Sequence, residues 1–471
     1  MPWEHVGPGG YVDQDDPTGM RSAGAAQAAV RVGNTTWLLA TANGGIWKTD
    51  DVLADGVHWT NVLDGQPVAC TSISAMESAG DTVVAGCGAA TSSEMGWDWQ
   101  VANSGDWGGV MVSQDAGATW QMTEFEDSTY VSAIVVHSAS SFVVSVRSHF
   151  RSRDYGGVWV TTDGGAEWTR TLDRPVYDLA FEPSSGALLA ALPWISDDVS
   201  VMVSLSGGAA DDWQPSALGI SWDGRVPFYP TFAMGPTTVF LGALTVNPSL
   251  LSDTASALYH RPIADLLAAA RATTGSASVA GGVVPEPRGW QRVAGAPARL
   301  DLDGMPKDRM ALLVHPNDES ILFVAGNAAA LVWRVSWRAG AWVASGATDT
   351  ADGSAPHSDC RRYYWEPTTS ALVLLSDGGA FLRDLPTSPG GRWRSLAGDT
   401  GAMELLAADW DPVGSRWIGG AQDNDVMVSP VNGSASGVAL GIIGGDGSVT
   451  AVDAKALPPR LWGATQVMSL E

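Results

Sequence analysis

The chain has 471 residues, more than a single hydrophobic core normally holds, so its length indicates several domains or a repeat architecture that grows by addition. Its composition, with 45% hydrophobic residues, 55 Gly, 22 Trp and only 16% charged residues, is typical of short strands joined by glycine turns and argues against disorder. The formal net charge of −25 argues against binding to nucleic-acid phosphates or anionic membranes, but leaves basic partners, cations and neutral sugars open.

The sequence shows no stretch that is long and apolar enough to be a membrane-spanning helix, and it does not begin with a basic and then apolar leader. As written, it predicts a cytoplasmic protein, or a secreted or organellar one if the natural N-terminus lies upstream. The three cysteines, Cys70, Cys87 and Cys360, fit neither a disulfide framework nor a zinc site by their spacing. We expect buried free thiols, although Cys70 and Cys87 fall on strands predicted to be adjacent.

The predicted strands come in groups of four along the chain. A single strand at Trp3–Gly7 comes first, without a hairpin partner before it. Complete groups then begin near Ala25, Thr71, Tyr130, Val176, Thr231, Arg309, Arg361 and Leu405. The fifth group is interrupted by an insertion at about 262–287, whose first residues, 263–271, have the composition of a short helix.

The last three predicted strands, 449–452, 461–465 and 467–470, lack a fourth, which Trp3–Gly7 supplies. Pairing the two chain ends in one sheet closes the ring and removes two exposed strand edges. The sequence therefore predicts an all-β propeller of four-stranded blades over residues 1–471. The best count is nine blades, within a range of seven to ten; the alternative is one seven-bladed ring followed by the start of a second.

Two predicted hairpins share the pattern Ser/Thr-x-Asp-x-Gly-x-x-Trp, 48 positions apart. In such a turn the short carboxylate accepts backbone N–H groups, the glycine supplies a positive φ and the tryptophan covers the turn. We therefore predict a structural role for the residues of both copies: Ser113, Asp115, Gly117, Trp120, Thr161, Asp163, Gly165 and Trp168.

This pattern resembles the Asp-box of the sialidase-like, or BNR-repeat, β-propellers. Large BNR-repeat proteins also resemble this chain in the stretches Trp3–Pro8, Thr41–Thr49, Gly86–Gly88, Gly420–Asp425 and Gly444–Gly447. These relatives include sortilin/Vps10-type receptors, photosystem II assembly factors and xyloglucanase-like glycoside hydrolases, so the resemblance implies a fold and no single activity. The early arginine motif of sialidases is absent, and Ala42 stands where the xyloglucanase-like pattern has a catalytic Asp.

One face of a propeller carries the turns between strands two and three and the links between blades, while Asp-box turns lie on the other face. Aromatic residues interleaved with carboxylates and guanidiniums on the first face resemble a sugar- or peptide-binding surface. The alternative is that these long loops only pack on each other. The predicted ligand-binding residues are Trp97, Asp98, Trp99, Trp107, Arg151, Arg153, Asp154, Trp194 and Asp425.

Three carboxylates, Asp423, Asp425 and Asp446, fall on glycine-rich segments of the same face. Asp423 and Asp446 could serve as the acid and base of a glycoside hydrolase, or the acidic turns could hold calcium, or the carboxylates could cap their own turns. A further polar cluster lies at His357–Tyr364.

We predict a monomeric, non-catalytic binding or scaffold protein that presents an acidic, Trp-rich face to a carbohydrate or protein ligand, without a required cofactor or metal. A glycoside hydrolase that uses Asp423 and Asp446 is the alternative.

Overall fold

The computed structural model describes residues 9–13, 18–68, 70–88, 108–125, 130–147, 156–192, 201–216, 218–273, 288–298, 300, 310–326, 333–346, 350–431 and 438–465. Its described part is nearly all β, with one helix, α1 (Ile263–Thr273), at the start of the predicted insertion. None of the described helical residues forms a segment with the length and hydrophobicity needed to span a lipid bilayer.

Two short strands, β1 (Tyr11–Asp13) and β2 (Arg21–Ser22), precede the first complete blade. Blades 1 to 4 follow, each an antiparallel sheet of four consecutive strands. They comprise β3 (Ala26–Arg31), β4 (Trp37–Thr41), β5 (Ile46–Thr49) and β6 (Thr60–Asn61); β7 (Ile73–Ala79), β8 (Thr82–Cys87), β9 (Val110–Ser113) and β10 (Gln121–Met122); β11 (Val131–Val136), β12 (Phe142–Val146), β13 (Gly157–Thr161) and β14 (Thr169–Leu172); and β15 (Asp178–Glu182), β16 (Ala187–Ala191), β17 (Val201–Ser204) and β18 (Trp213–Pro215).

Blades 5 to 8 continue the same order, and a two-stranded unit 9 ends the described chain. They comprise β19 (Val226–Met234), β20 (Thr238–Asn247), β21 (Leu250–Pro262) and β22 (Gln291–Arg292); β23 (Ala311–Val314), β24 (Ile321–Ala325), β25 (Trp333–Arg338) and β26 (Ala341–Gly346); β27 (Cys360–Glu366), β28 (Ala371–Ser376), β29 (Gly379–Arg383) and β30 (Trp393–Ser395); β31 (Leu405–Asp411), β32 (Arg416–Ala421), β33 (Val426–Val428) and β34 (Ala439–Gly441); and β35 (Gly447–Asp453) with β36 (Arg460–Thr465).

The two turns with the pattern Ser/Thr-x-Asp-x-Gly-x-x-Trp hold their carboxylates as short-range caps. Asp115 Oδ1 accepts the Thr119 N–H at 2.8 Å, and Asp163 Oδ1 accepts the Glu167 N–H at 3.0 Å. Burial raises the pKa of Asp115, but the hydrogen bonds that its carboxylate accepts outweigh this and lower the pKa to about 2. In both turns the tryptophan indole donates back to the glycine carbonyl, as Trp120 does to Gly117 at 3.1 Å.

Polar side chains on the first strands tie neighbouring blades together. Ser74 Oγ donates to the Val131 carbonyl at 2.7 Å, and Ser132 Oγ donates to the Val176 carbonyl at 2.6 Å. Each of these hydrogen bonds gives a buried hydroxyl a backbone partner in the segment that begins the next blade. The serines thus link one blade to the next.

Blade 7 packs directly against blade 1. β27 and β28 contact β3, and one hydrophobic cluster joins Trp37, Leu39 and Trp59 of blade 1 with side chains of blade 7. The Trp59 indole donates to the Leu396 carbonyl at 2.8 Å across this contact. Seven blades therefore form a closed ring.

The ring is also bridged across its axis. Arg362 on β27 of blade 7 donates from Nη2 to the carbonyl of Ser132 on β11 of blade 3, at 3.1 Å. Because these two blades are not sequence neighbours, this hydrogen bond is possible only when their inner strands face one centre.

The described residues form seven four-stranded sheets, one six-stranded sheet in which β1 and β2 extend blade 8, and one two-stranded sheet, which agrees with the predicted count of about nine blades. Their arrangement corresponds to the sequence alternative of a seven-bladed ring with further units beside it. β1 extends blade 8 by pairing in parallel with β34, so the N-terminal segment does join a late blade. The strand predicted at Trp3–Gly7 and the one predicted at 467–470 lie outside the described residues.

Cys70 and Cys87 form a disulfide, so the expectation of free thiols is wrong for this pair. Cys70 lies just before β7 and Cys87 ends β8, and the hairpin between them brings their Cα atoms to 5.9 Å, within the usual range for a disulfide. Cys360 is free and buried, as expected.

We predict that the denatured, unreduced protein titrates one free thiol per chain, that of Cys360. Replacing both Cys70 and Cys87 with Ala should lower the free energy of unfolding by about 2–4 kcal/mol, because the unfolded chain loses a cross-link. Thiol titration and urea denaturation measure these two results. Three titrating thiols in freshly purified protein would contradict the assignment.

Candidate functional site

A cleft of about 400 Å³ lies where blade 7, blade 8 and strand β1 meet. Blade 7 contributes the segment that leads into β27, and blade 8 contributes the turn between β32 and β33 and the segment after β34. The side chains that give the cleft its chemical character are Tyr11, Asp13, Met20, His357, Asp359, Phe381, Asp423, Asp425 and Asp446.

Two glycine-rich segments of the cleft hold each other in place. Asp446 Oδ1 accepts the backbone N–H of Asp423 at 2.9 Å and the side-chain amide of Gln422 at 2.7 Å. In return, Asp425 Oδ1 accepts the backbone N–H groups of Ile443 and Gly444, at 2.9 and 2.8 Å. The three carboxylates do converge, but Asp425 and Asp446 cap the opposite segment instead of their own turns.

The backbone at this site is unusual for residues that carry a Cβ atom. Asp423 and Asp425 both have a positive φ, 54° and 74°. Asp is one of the few non-glycine residues that tolerate this left-handed region, and strain of this kind clusters at functional sites. The reciprocal caps supply the hydrogen bonds that stabilise this conformation.

The side chains of Asp423 and Asp446 are close enough to affect each other's charge, since Asp446 Oδ1 accepts the backbone N–H of Asp423. Burial, followed by the hydrogen bond to Asp446, the charge of Asp446 and the charge of Asp359, raises the pKa of Asp423 to about 8. This shift favours the protonated form of Asp423 at neutral pH, and the Asp423 Oδ2 atom is buried without a hydrogen-bond partner among the described residues.

A second group of carboxylates extends the site toward blade 7. Oxygens of Asp359, Asp377 and Asp423 all lie within 4.8 Å of one another. Asp377 also forms a buried ion pair with Arg361, so one of the three charges is already compensated. An all-oxygen donor set suits a hard cation such as calcium, and these three residues are the ones that would hold it.

The cleft contains residues that the sequence did not single out. Tyr11 and Asp13 enter through the pairing of β1 with β34, a long-range contact that no local motif encodes. Tyr11 is buried, and burial together with the nearby Asp425 carboxylate raises the pKa of its hydroxyl.

The polar cluster that the sequence places at His357–Tyr364 contributes only in part to the cleft. His357 and Asp359 line the cleft, whereas Arg361 pairs with Asp377 and Arg362 extends to the ring axis.

Most of the predicted ligand-binding surface lies outside the described residues. This applies to Trp97, Asp98, Trp99, Trp107, Arg151, Arg153, Asp154 and Trp194. Among the predicted ligand-binding residues, Asp425 is the one that the structure describes, and it lines the cleft.

No family model matches the chain, and no curated protein matches it. Among solved structures, it is similar to the GH74 enzyme of Niastella koreensis, with a TM-score of 0.62 and 14% sequence identity over 94% of this chain and 64% of that one. The chain therefore spans somewhat less than two thirds of the length of that enzyme.

Two further structures match with lower scores. A YCF48 protein bound to a D1 peptide has a TM-score of 0.47 and 12% identity, over 81% of this chain and 98% of that one. The WD40 propeller of Doa1 has a TM-score of 0.45 and 10% identity, over 77% of this chain and 92% of that one. At these identities the likeness to the GH74 enzyme shows the β-propeller fold alone.

The raised pKa of Asp423 predicts a specific pH dependence of stability. Between pH 3.8, its ordinary pKa, and about 8, the folded state holds a proton that the unfolded state has lost. The folded protein therefore loses stability from this group as the pH rises through that window. Asp423→Asn, which cannot ionise, should become progressively more stable than the wild type toward pH 8 when Tm is measured across the range.

Asp81→Asn is the matched control, since Asp81 is an exposed carboxylate of blade 2. Its Tm should follow the wild-type pH profile. A parallel pH profile for Asp423→Asn and the wild type would show that Asp423 ionises normally.

Proposed function

We propose that this protein is a non-catalytic propeller that binds a protein partner, and that the cleft between blade 7 and blade 8 receives basic side chains of that partner. The observation that carries the proposal is the charge of the cleft: five carboxyl groups line it, and no Lys or Arg is found among its described lining residues. Such an arrangement favours a cationic ligand.

The state of the carboxyl groups supports this choice. Neighbouring carboxylates repel each other, and this repulsion is relieved when one of them binds a proton, as the raised pKa of Asp423 beside Asp446 indicates. A bound cation relieves the same repulsion. An ammonium or guanidinium group of a ligand would supply that positive charge and donate hydrogen bonds to the carboxylates. The net charge of −25 would also steer a basic partner toward the protein.

The size of the cleft fits a side chain or short segment of a partner. Its volume of about 400 Å³ is at the lower end of the range for ligand sites. Met20 and Phe381 provide apolar wall, against which the stem of a Lys or Arg side chain can pack.

We expect a fluorescent oligoarginine peptide to bind the full chain with a salt-dependent affinity. Asp13→Asn and Asp359→Asn should each weaken binding about tenfold, because each removes one charge from the cleft without touching the reciprocal caps. Fluorescence anisotropy at low and high salt measures both effects. Asp81→Asn removes the same charge at a site away from the cleft and should leave the affinity for the peptide unchanged. An equal loss of affinity in this control would contradict the proposal, because the peptide would then respond only to the net charge of the protein.

Glycoside hydrolysis is the second candidate, and one observation favours it. A carboxylic acid kept protonated near neutral pH, beside ionised carboxylates in a cleft, is how glycosidases hold their general acid. However, Asp446 Oδ1 accepts the Asp423 backbone N–H and the Gln422 amide, so this carboxylate caps the turn of Asp423 instead of facing Asp423 across a space that could hold a sugar. For this reason we rank hydrolysis below binding.

A screen with β-glucans, xyloglucan and sialosides, scored for released reducing ends, separates the two candidates. Binding of the peptide without release of reducing ends supports the first proposal. Release that is lost in Asp423→Asn would establish the hydrolase instead.

A further inference from the structure

An acidic cluster joins blade 7 to blade 8 at one wall of the cleft. Asp359 lies just before β27, Asp377 directly follows β28, and Asp423 lies in the turn between β32 and β33. One carboxylate oxygen of each residue lies within 4.8 Å of the others. Calcium binds oxygen ligands at about 2.3–2.6 Å, so ligands on opposite sides of one ion are about 4.6–5.2 Å apart. A single calcium ion can therefore contact all three carboxylates.

The charge of this cluster suits a divalent cation. Three carboxylates, one of them paired with the Arg361 guanidinium, leave two negative charges when all three are ionised. A divalent cation balances both charges, whereas a single ammonium or guanidinium group balances only one of them. Asp377 is 1% exposed, and buried charges are normally paired or bound to a metal.

Asn424 gives a second, independent indication of a ligand. The residue is 1% exposed, and its Nδ2 donates to the carbonyls of Asp377 and Gln422, at 3.0 and 2.8 Å. Because an amide nitrogen has two hydrogens to donate, these contacts fix the amide group beside Asp377, with Oδ1 as its acceptor. This Oδ1 atom is buried and accepts no hydrogen bond from the described residues.

The neighbouring Asp423 presents another buried acceptor of this kind. Its Oδ2 atom also lacks a hydrogen-bond partner among the residues that the structure describes. A buried oxygen without a donor is unfavourable, and a bound cation stabilises it as a donor would. Carboxylate and side-chain amide oxygens are both calcium ligands. The turn of blade 8 thus offers two such oxygens on adjacent residues, next to the two carboxylates of blade 7.

We infer that Asp359, Asp377, Asp423 and Asn424 form a calcium site that links blade 7 to blade 8. Calcium suits these residues better than magnesium, because it accepts about six to eight oxygen ligands in flexible geometry, whereas magnesium requires a near-ideal octahedron. This selects the calcium alternative that the sequence left open for the acidic turns. The site does not depend on the partner proposed for the cleft, because the ion is held by the protein alone.

Isothermal titration calorimetry of the full chain, freed of metal with a chelator, tests the inference. Calcium should bind with a dissociation constant below about 1 mM and should raise the Tm. Asp359→Asn and Asp423→Asn should each weaken calcium binding at least about tenfold, because each removes a charged ligand. Magnesium should bind at least about tenfold more weakly than calcium.

Asp13→Asn is the matched control, because it removes a charge from the same cleft without altering the cluster. This variant should bind calcium as the wild type does although its affinity for the oligoarginine peptide falls, so failures of the two proposals can be told apart. Circular dichroism melts without calcium confirm that each variant is folded.

Four results would overturn the calcium site. The first is a wild type without saturable calcium binding below about 1 mM. The second is equal affinity for magnesium, and the third is wild-type calcium affinity in both Asp359→Asn and Asp423→Asn. The fourth is a loss in Asp13→Asn as large as in Asp359→Asn, because calcium would then respond only to the charge of the cleft.

Discussion

The packing of blade 7 on blade 1 is the contact on which the rest of the structure depends. It converts seven successive sheets into a ring and leaves no unpaired flank within that ring. Trp59 of blade 1 makes two hydrogen bonds across this contact: its indole donates to the Leu396 carbonyl, and its backbone N–H donates to the Asp399 carboxylate. Once the ring has closed, the eighth blade must lie beside it.

The candidate site is a consequence of this placement. Because blade 8 is outside the ring, its turn at Asp423–Asp425 faces the entry to blade 7 across an open cleft instead of packing in a blade-to-blade seam. Strand β1 fills the remaining side by pairing with β34 and β2, so the first described residues help to build the cleft. The concentration of carboxylates there is tolerated because Asp425 and Asp446 bind backbone N–H groups, Asp377 is paired with Arg361, and Asp423 retains a proton.

Local sequence patterns predicted the local structure well. The strand groups, the short helix at 263–271 and the blade count follow from periodicity and turn residues, which act over a few positions. Ring closure was not predictable in this way, because the contacts that close the ring, such as the hydrogen bond of Trp59 with Leu396, join residues far apart in the chain. The same holds for the disulfide, since the spacing of Cys70 and Cys87 alone matches no disulfide framework.

For the site, the sequence grouped Asp423, Asp425 and Asp446 on one face, and all three line the cleft. It could not reveal that Asp446 caps the turn of Asp423 and raises the pKa of the Asp423 carboxyl, because this contact depends on how two separate segments fold against each other. Tyr11 and Asp13 were missed for a different reason: their role comes from the parallel pairing of β1 with β34, and nothing in residues 11–13 signals a partner in blade 8.

Intramolecular cross-linking is the most direct test of the closed ring of seven blades. Asp55 of blade 1 and Asp384 of blade 7 are exposed and both lie near the Arg394 guanidinium, which donates to the carbonyls of Val52 and Ala54 across the closing contact. The account predicts that Asp55→Cys and Asp384→Cys, introduced together, are joined by a short bis-maleimide. Asp55→Cys combined with Asp453→Cys of unit 9 should remain unlinked. The opposite result, a link from blade 1 to unit 9 and none to blade 7, would contradict the closed ring of seven blades.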